Sequence, residues 1–286
     1  MIGRFAVPLF FIITGYFSFP MKGDTFCFLK KRLSRIVFPL LSWVIIYSIF
    51  LSKPDSIVYD IEYLVQAPQL WYLYALIGIT FLIPITSDFI SNASKKELAL
   101  YVAIWCLTLI FNGNYFKEFS AIETNHQGLL FTNPFSALIN FYGYFGFLIV
   151  GFLFKKYDMG KVTPLILLTI GIIVAGLEIF VFHLEVGEVV AYNSIVNLLI
   201  SSSIFLAMKA FFEKVSTSDY FYRAVCKVGK LTFGIYLIHW LIFQWLYKIP
   251  GVESWNCVLT SVIVFLASLI SVSLLSRLPF KQYIIG

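Results

Sequence analysis

The sequence predicts an all-α fold: a polytopic transmembrane helical bundle of about nine spans. Three observations carry that prediction. The 286 residues are 60% hydrophobic and only 13% charged, whereas soluble domains hold roughly 25% charged residues. The apolar residues gather into runs long enough to cross a bilayer. The basic residues gather in alternate gaps between those runs.

A spanning helix needs about 20 mostly apolar residues at 1.5 Å rise. Nine stretches approach that length: 4–20, 36–52, 69–88, 98–112, 134–154, 162–182, 191–212, 231–248 and 255–276. In hydrocarbon every backbone group must bond internally, so these runs are read as helices. A β-barrel would show short alternating segments instead. No fixed-period repeat divides the chain, so residues 1–286 are read as a single transmembrane domain. Two gaps stand out. Residues 53–68 carry Asp55, Asp60 and Glu62, and residues 113–133 carry Glu118, Glu123, Asn125 and His126. The second is long enough to fold over the mouth of a cavity, although plain solvation explains both.

Charge sets the orientation. If the first span runs from outside to inside, all but four of the 21 Lys and Arg residues fall in inner loops. The exceptions are Arg4, Lys53, Lys117 and Lys248. Short cytoplasmic loops carry such an excess of cations. This orientation leaves Met1 outside and almost touching the first span, with no signal peptide before it. An odd number of spans with a bare outer start predicts that one helix ahead of Met1 is missing, so that the chain is N-terminally truncated.

The net charge of +6 is explained by this loop bias. With no basic-aromatic platform outside the spans, no nucleic-acid partner is expected. The lipid bilayer is the expected partner, at the membrane of a cell and in several passes. Cys27, Cys106, Cys226 and Cys257 lack both a C-x-x-C pair and metal-ligand spacing, so they read as reduced thiols, with no metal site and no bound cofactor.

Ionisable residues inside a bilayer are costly and point to function. Arg4 opens the first span. It is either an interfacial arginine that snorkels to water or a cation facing a polar cavity, able to hold an anion or a developing oxyanion. Pro8 and Gly15 bend or thin that helix and let neighbours approach. Glu178 lies about one turn inside the outer edge of 162–182, either snorkelling outward or paired with a cation such as Arg4. His239 lies in mid-span, on one helical face with Tyr236. It is either a buried histidine bonded to a neighbouring helix or a general base. His126 and His183 read as surface residues. Lys30-Lys31-Arg32-Leu33-Ser34-Arg35 sets orientation, and could also attract anionic headgroups or the phosphates of a nucleotide-bearing donor.

Four stretches together resemble one family, the bacterial membrane acyltransferases of the acyltransferase-3 type. Arg4-x-x-Val7-Pro8-Leu9-Phe10-Phe11-Ile12-Ile13-Thr14-Gly15-Tyr16 resembles its second helix, and Phe28-Leu29-Lys30-Lys31-Arg32-Leu33-Ser34-Arg35-Ile36 its first inner loop. Leu70-Trp71-Tyr72-Leu73-Tyr74 resembles a Trp-Phe-Leu helix entrance, and Thr232-Phe233-Gly234-Ile235-Tyr236-Leu237-Ile238-His239 the penultimate helix. The resemblance implies a ten-helix fold in a bacterial inner or plasma membrane. It implies transfer of an acyl group, usually acetyl, from cytoplasmic acyl-CoA, the donor substrate, to a hydroxyl of a cell-surface or exported glycan, the carbohydrate acceptor. It implies that Arg4 matches a functional arginine and that Trp71, Tyr236 and His239 match characteristic positions. One element departs. The family's first helix typically carries Arg or Lys, ten residues, then the essential histidine, which the resemblance implies as the base. The residues eleven before His126, His183 and His239 are Tyr115, Ile172 and Val228. The motif is absent, as is the helix that would hold it.

The expected assignment therefore makes Arg4 and His239 catalytic, and Trp71, Tyr236 and Glu178 substrate-binding. Two other readings remain open: a transporter or flippase of glycan or lipid, and a catalytically inactive remnant.

Overall fold

The computed structural model describes residues 2–51, 70–111, 143–215 and 220–286. In chain order the helices are α1 (Ala6–Ser18), α2 (Thr25–Leu51), α3 (Trp71–Asn92), α4 (Lys95–Phe111), α5 (Phe145–Lys156), α6 (Thr163–Phe180), α7 (Val186–Val189), α8 (Ile195–Phe212), α9 (Tyr220–Gly229), α10 (Thr232–Leu246), α11 (Cys257–Leu275) and α12 (Lys281–Ile284). No strand occurs among the described residues. The two acidic gaps, with His126, lie outside them.

Five helices, α2, α3, α6, α8 and α11, are long and apolar enough to cross a membrane. The pair α9 and α10 makes a sixth if its two arms, bent by 62°, count as one crossing. The described residues thus give five or six candidate spans, and a count of nine is not established by them. The remaining apolar helices are shorter. α1 has 13 residues, about 20 Å at 1.5 Å per residue, against roughly 30 Å of hydrocarbon. α4 has 17 residues. α5 has 12, the earlier part of the 134–154 stretch being outside the described residues.

Two compact units divide the chain. The first comprises residues 1–21 and 82–214, the second 22–81 and 215–286. In the first, α5 is the central helix and buries nearly every side chain from Gly146 to Phe154. α1 crosses it so closely that a Cβ on Gly15 would collide with the Leu148 backbone, and one on Gly151 with the Ile12 backbone. Such contact between small residues is how helices pack where lipid removes the hydrophobic incentive. α8 follows the same logic with hydroxyls. Its buried Ser201 donates to the Phe5 carbonyl at 3.0 Å, and Ser203 to the Pro164 carbonyl at 2.7 Å. α6 packs on α8 through Gly171 and buries only Gly171 and Glu178. Its other faces expose Leu165, Ile166, Ile172 and Ile173, a surface suited to lipid.

Three lysines close one end of this unit. Lys155 donates to the Phe19 carbonyl at 2.6 Å, Lys156 to the carbonyls of Ser91 and Ala93 at 2.9 and 2.8 Å, and Lys209 to that of Phe154 at 3.0 Å. These carbonyls terminate α1, α3 and α5, where the helix dipole is negative and carbonyls lack helical partners. Lysines that the sequence reading expects in inner loops thus cap the helices.

In the second unit α10 packs on α11, and α12 on α2. α11 turns a stripe of Thr260, Val264, Ser268 and Val272 inward, spaced four residues apart as one helix face requires. It leaves Val262, Phe265, Leu266 and Ile270 exposed. Buried Tyr47 on α2 donates to the Leu237 carbonyl at 2.6 Å, and Trp43 Nε1 to the Ile284 carbonyl at 2.8 Å. Pro39 and Pro84 lie inside α2 and α3, a use of proline that spanning helices tolerate.

Candidate active site

The second unit holds a cavity of about 480 Å³ lined by Phe28, Lys31, Arg32, Arg35 and Ile36 of α2, Leu76 of α3, Phe233 of α10 and the terminal Gly286. A smaller hollow of about 410 Å³ shares Lys31, Arg35 and Gly286 and adds Ser34, Phe38, Gln282 and Tyr283. The three cations share a helix face because 31 and 35 lie four residues apart, and 32 and 35 three apart. Three like charges so close cost a few tenths of a kcal/mol per pair in an isolated helix. Among the described residues, Lys31 and Arg35 meet no carboxylate. Their field is therefore available to an anion. The Arg32 guanidinium lies 5.7 Å from the centre of the Phe28 ring, a cation–π distance. Apolar walls beside the exposed cations Lys31 and Arg35 suit a ligand that is phosphorylated at one end and apolar at the other.

A ladder of rings leaves this cavity along α10. Phe233 stacks on Tyr236 with centroids 6.4 Å apart, and Tyr236 meets His239 at 5.9 Å. The spacing of three residues keeps all three on one face. Tyr72, buried at the start of α3, stands edge-on to Tyr236 at 5.5 Å, and Trp71 stands edge-on to Tyr72 at 6.4 Å. His239 Nδ1 lies 2.6 Å from the Tyr236 carbonyl. A carbonyl only accepts, so Nδ1 carries the proton and donates. In the neutral ring the lone pair is then at Nε2, the atom that could take a proton from a substrate.

In the first unit, Arg4 ends a short 3₁₀ turn before α1. Its Nη1 donates to the Gly187 carbonyl at 2.6 Å, and the guanidinium lies 5.8 Å from the Tyr192 ring centre. Arg4 is thereby tied to α7, which packs on α6, the helix of Glu178. Glu178 is only 3% exposed, which removes the snorkelling reading. His183 is exposed and has φ of 52°.

Trp71, Tyr236 and His239 thus fall within one unit and one cluster of rings, whereas Arg4 and Glu178 belong to the other unit. Among the described residues, His239 bonds its own helix. The basic run 30–35 was visible in the sequence, and Lys31, Arg32 and Arg35 prove to line the cavity. Tyr72, Leu76 and Phe233 were not singled out. Phe233 had a signal, three residues before Tyr236 on the same face. Tyr72 also had one, as the aromatic residue after Trp71 in the Trp-Phe-Leu-like stretch, whereas Leu76 carried none, one apolar-run residue among many.

No curated protein and no solved structure matches the chain significantly. A family model, described as an acyltransferase domain of the acyltransferase-3 type, matches residues 1–277. That match covers almost the whole chain, including α1, the basic turn of α2, the start of α3 and the ring face of α10. This match, over a chain with several membrane-length apolar helices, gives the identity: the chain belongs to the acyltransferase-3 family and is a membrane acyltransferase that transfers groups other than aminoacyl groups.

Proposed function

We propose that the protein is an O-acyltransferase that moves an acyl group, acetyl in the simplest case, from acyl-CoA to a hydroxyl of a cell-surface or exported glycan. The observation that carries this reading is the cavity of the second unit. Its three cations match the phosphates of a CoA donor, and Phe28, Phe233, Leu76 and Ile36 offer apolar walls to its uncharged parts. The cations lie in the segment that charge bias assigns to the cytosol, where acyl-CoA is found. Under this reading the chain is a multi-pass protein of a bacterial plasma membrane with about nine crossings, and needs no bound cofactor besides the donor.

The chemistry is then simple. The acceptor hydroxyl oxygen bonds to the thioester carbonyl carbon, the carbon–sulfur bond breaks, and the hydroxyl proton passes through Nε2 of His239 to the departing thiolate. A proton acceptor of this kind contributes about 10²–10⁴-fold. Tyr236 and Trp71 line the donor's path in this unit; in the other unit, taken by itself, Arg4 offers positive charge to an anionic oxygen and Glu178 a group for binding substrate.

The test uses membranes containing the full chain, labelled acetyl-CoA and a panel of bacterial glycans. Transfer of label to glycan is expected. The double variant K31Q/R35Q should raise KM for acetyl-CoA by about tenfold or more, since each lost charge-assisted bond is worth about 1.5–3 kcal/mol, while kcat changes far less. Failure of every glycan to accept label, or an unchanged KM in the double variant, would count against the proposal.

A further inference from the structure

The helix α9 lies outside the chemistry described above, and its sequence is divided in two. Phe221, Ala224, Val225 and Val228 recur at i, i+3, i+4 and i+7, which puts them on one face. Arg223, Cys226, Lys227 and Lys230 recur at the same spacing on the opposite face. No residue of α9 is buried. Phe221 is 50% and Val225 36% exposed, so the described residues cover the apolar face only in part. The helix meets α10 at a 62° bend. An axis turned that far from a span runs closer to the bilayer plane than to its normal. The charge pattern assigns Arg223, Lys227 and Lys230 to the cytosolic side.

We propose that α9 lies in the cytoplasmic headgroup layer and binds an anionic phospholipid surface. Its apolar face enters the acyl boundary, as amphipathic interfacial helices do. Its basic face lies among lipid phosphates, where each Lys or Arg adds to the attraction. The occupant is lipid and not a protein partner for two reasons. The helix adjoins the apolar helix α10, and the charges from Tyr220 to Lys230, Arg223, Lys227 and Lys230, are all basic, as the anionic leaflet requires. The helix would also fix the depth of the start of α10, on which Phe233, Tyr236 and His239 are strung. The proposal rests on the membrane reading of the chain and not on its acyl donor.

The experiment scans residues 220–229 with single spin-labelled cysteines in the full chain, its four native cysteines otherwise replaced by serine. The chain is reconstituted in phosphatidylcholine vesicles with and without phosphatidylglycerol. Access to oxygen, which concentrates in lipid, should peak at 221, 224, 225 and 228. Access to a water-soluble nickel complex should peak at 223, 226 and 227. The triple variant R223Q/K227Q/K230Q should retain phosphatidylglycerol more weakly by about fivefold per charge removed. Equal nickel access at all ten positions would overturn the proposal and point to a soluble partner for this face. Phosphatidylglycerol retention unchanged by the triple variant would overturn its electrostatic half. Because the scan reads position and not catalysis, it stands or falls separately from the acyl-transfer assay.

Discussion

At the scale of residues, His239 is defined by its own helix. The Tyr236 carbonyl is three residues back and 2.6 Å away, and it fixes the proton on Nδ1. A glutamine at 239 can keep a polar contact but cannot accept and release a proton near neutral pH. H239Q is expected to lower kcat for acyl transfer by about 10²-fold or more, with KM for acetyl-CoA nearly unchanged, as measured with labelled donor. An unchanged kcat would leave His239 as a packing residue. Arg4 shows how one bond decides between readings. Its bond to the Gly187 carbonyl at 2.6 Å spans most of the chain in sequence and makes it a tertiary tie, not merely a charge seeking water. A guanidinium has five donors, so that tie leaves capacity for a second role.

At the scale of elements, the crossing of α1 and α5 is the tightest feature of the first unit. Gly15 meets the Leu148 backbone and Gly151 the Ile12 backbone. Backbone cannot move aside as a side chain can, so a larger residue must force the helices apart. Overpacking typically costs about 1–3 kcal/mol and sometimes more. G151V is expected to lower the thermal midpoint in detergent by several degrees, whereas G176V, which meets nothing within 4 Å on lipid-facing α6, should leave it nearly unchanged. Equal midpoints for the two variants would mean that the close approach is not limiting. The three lysine caps act at the same scale. They bind the ends of α1, α3 and α5 with residues that orientation alone would have placed anywhere in the inner loops.

At the scale of the whole molecule, orientation is the property on which the donor side depends. Cys27 is exposed and lies in the basic segment assigned to the cytosol. A membrane-impermeant maleimide should therefore leave it unlabelled in intact cells and label it in inverted vesicles, with Cys226, also exposed, behaving alike. Labelling of Cys27 from outside would reverse the topology and remove acyl-CoA as a donor.

Composition and spacing were enough to determine that the chain is helical and carries several helices apolar enough for lipid, because burial in hydrocarbon acts on local stretches. They also exposed the pattern at 30–35 and the shared face of Tyr236 and His239, since three- and four-residue spacing is a property of a single helix. What only the tertiary structure decided depends on residues far apart in the chain. Leu76 and Phe233 joined the cations of α2 around one cavity, and Tyr72 met Tyr236 at 5.5 Å. Arg4 found Gly187, and Glu178 proved buried. In an apolar helix nearly every face looks alike to the sequence, so which face meets a neighbour and which meets lipid is settled only when the helices pack.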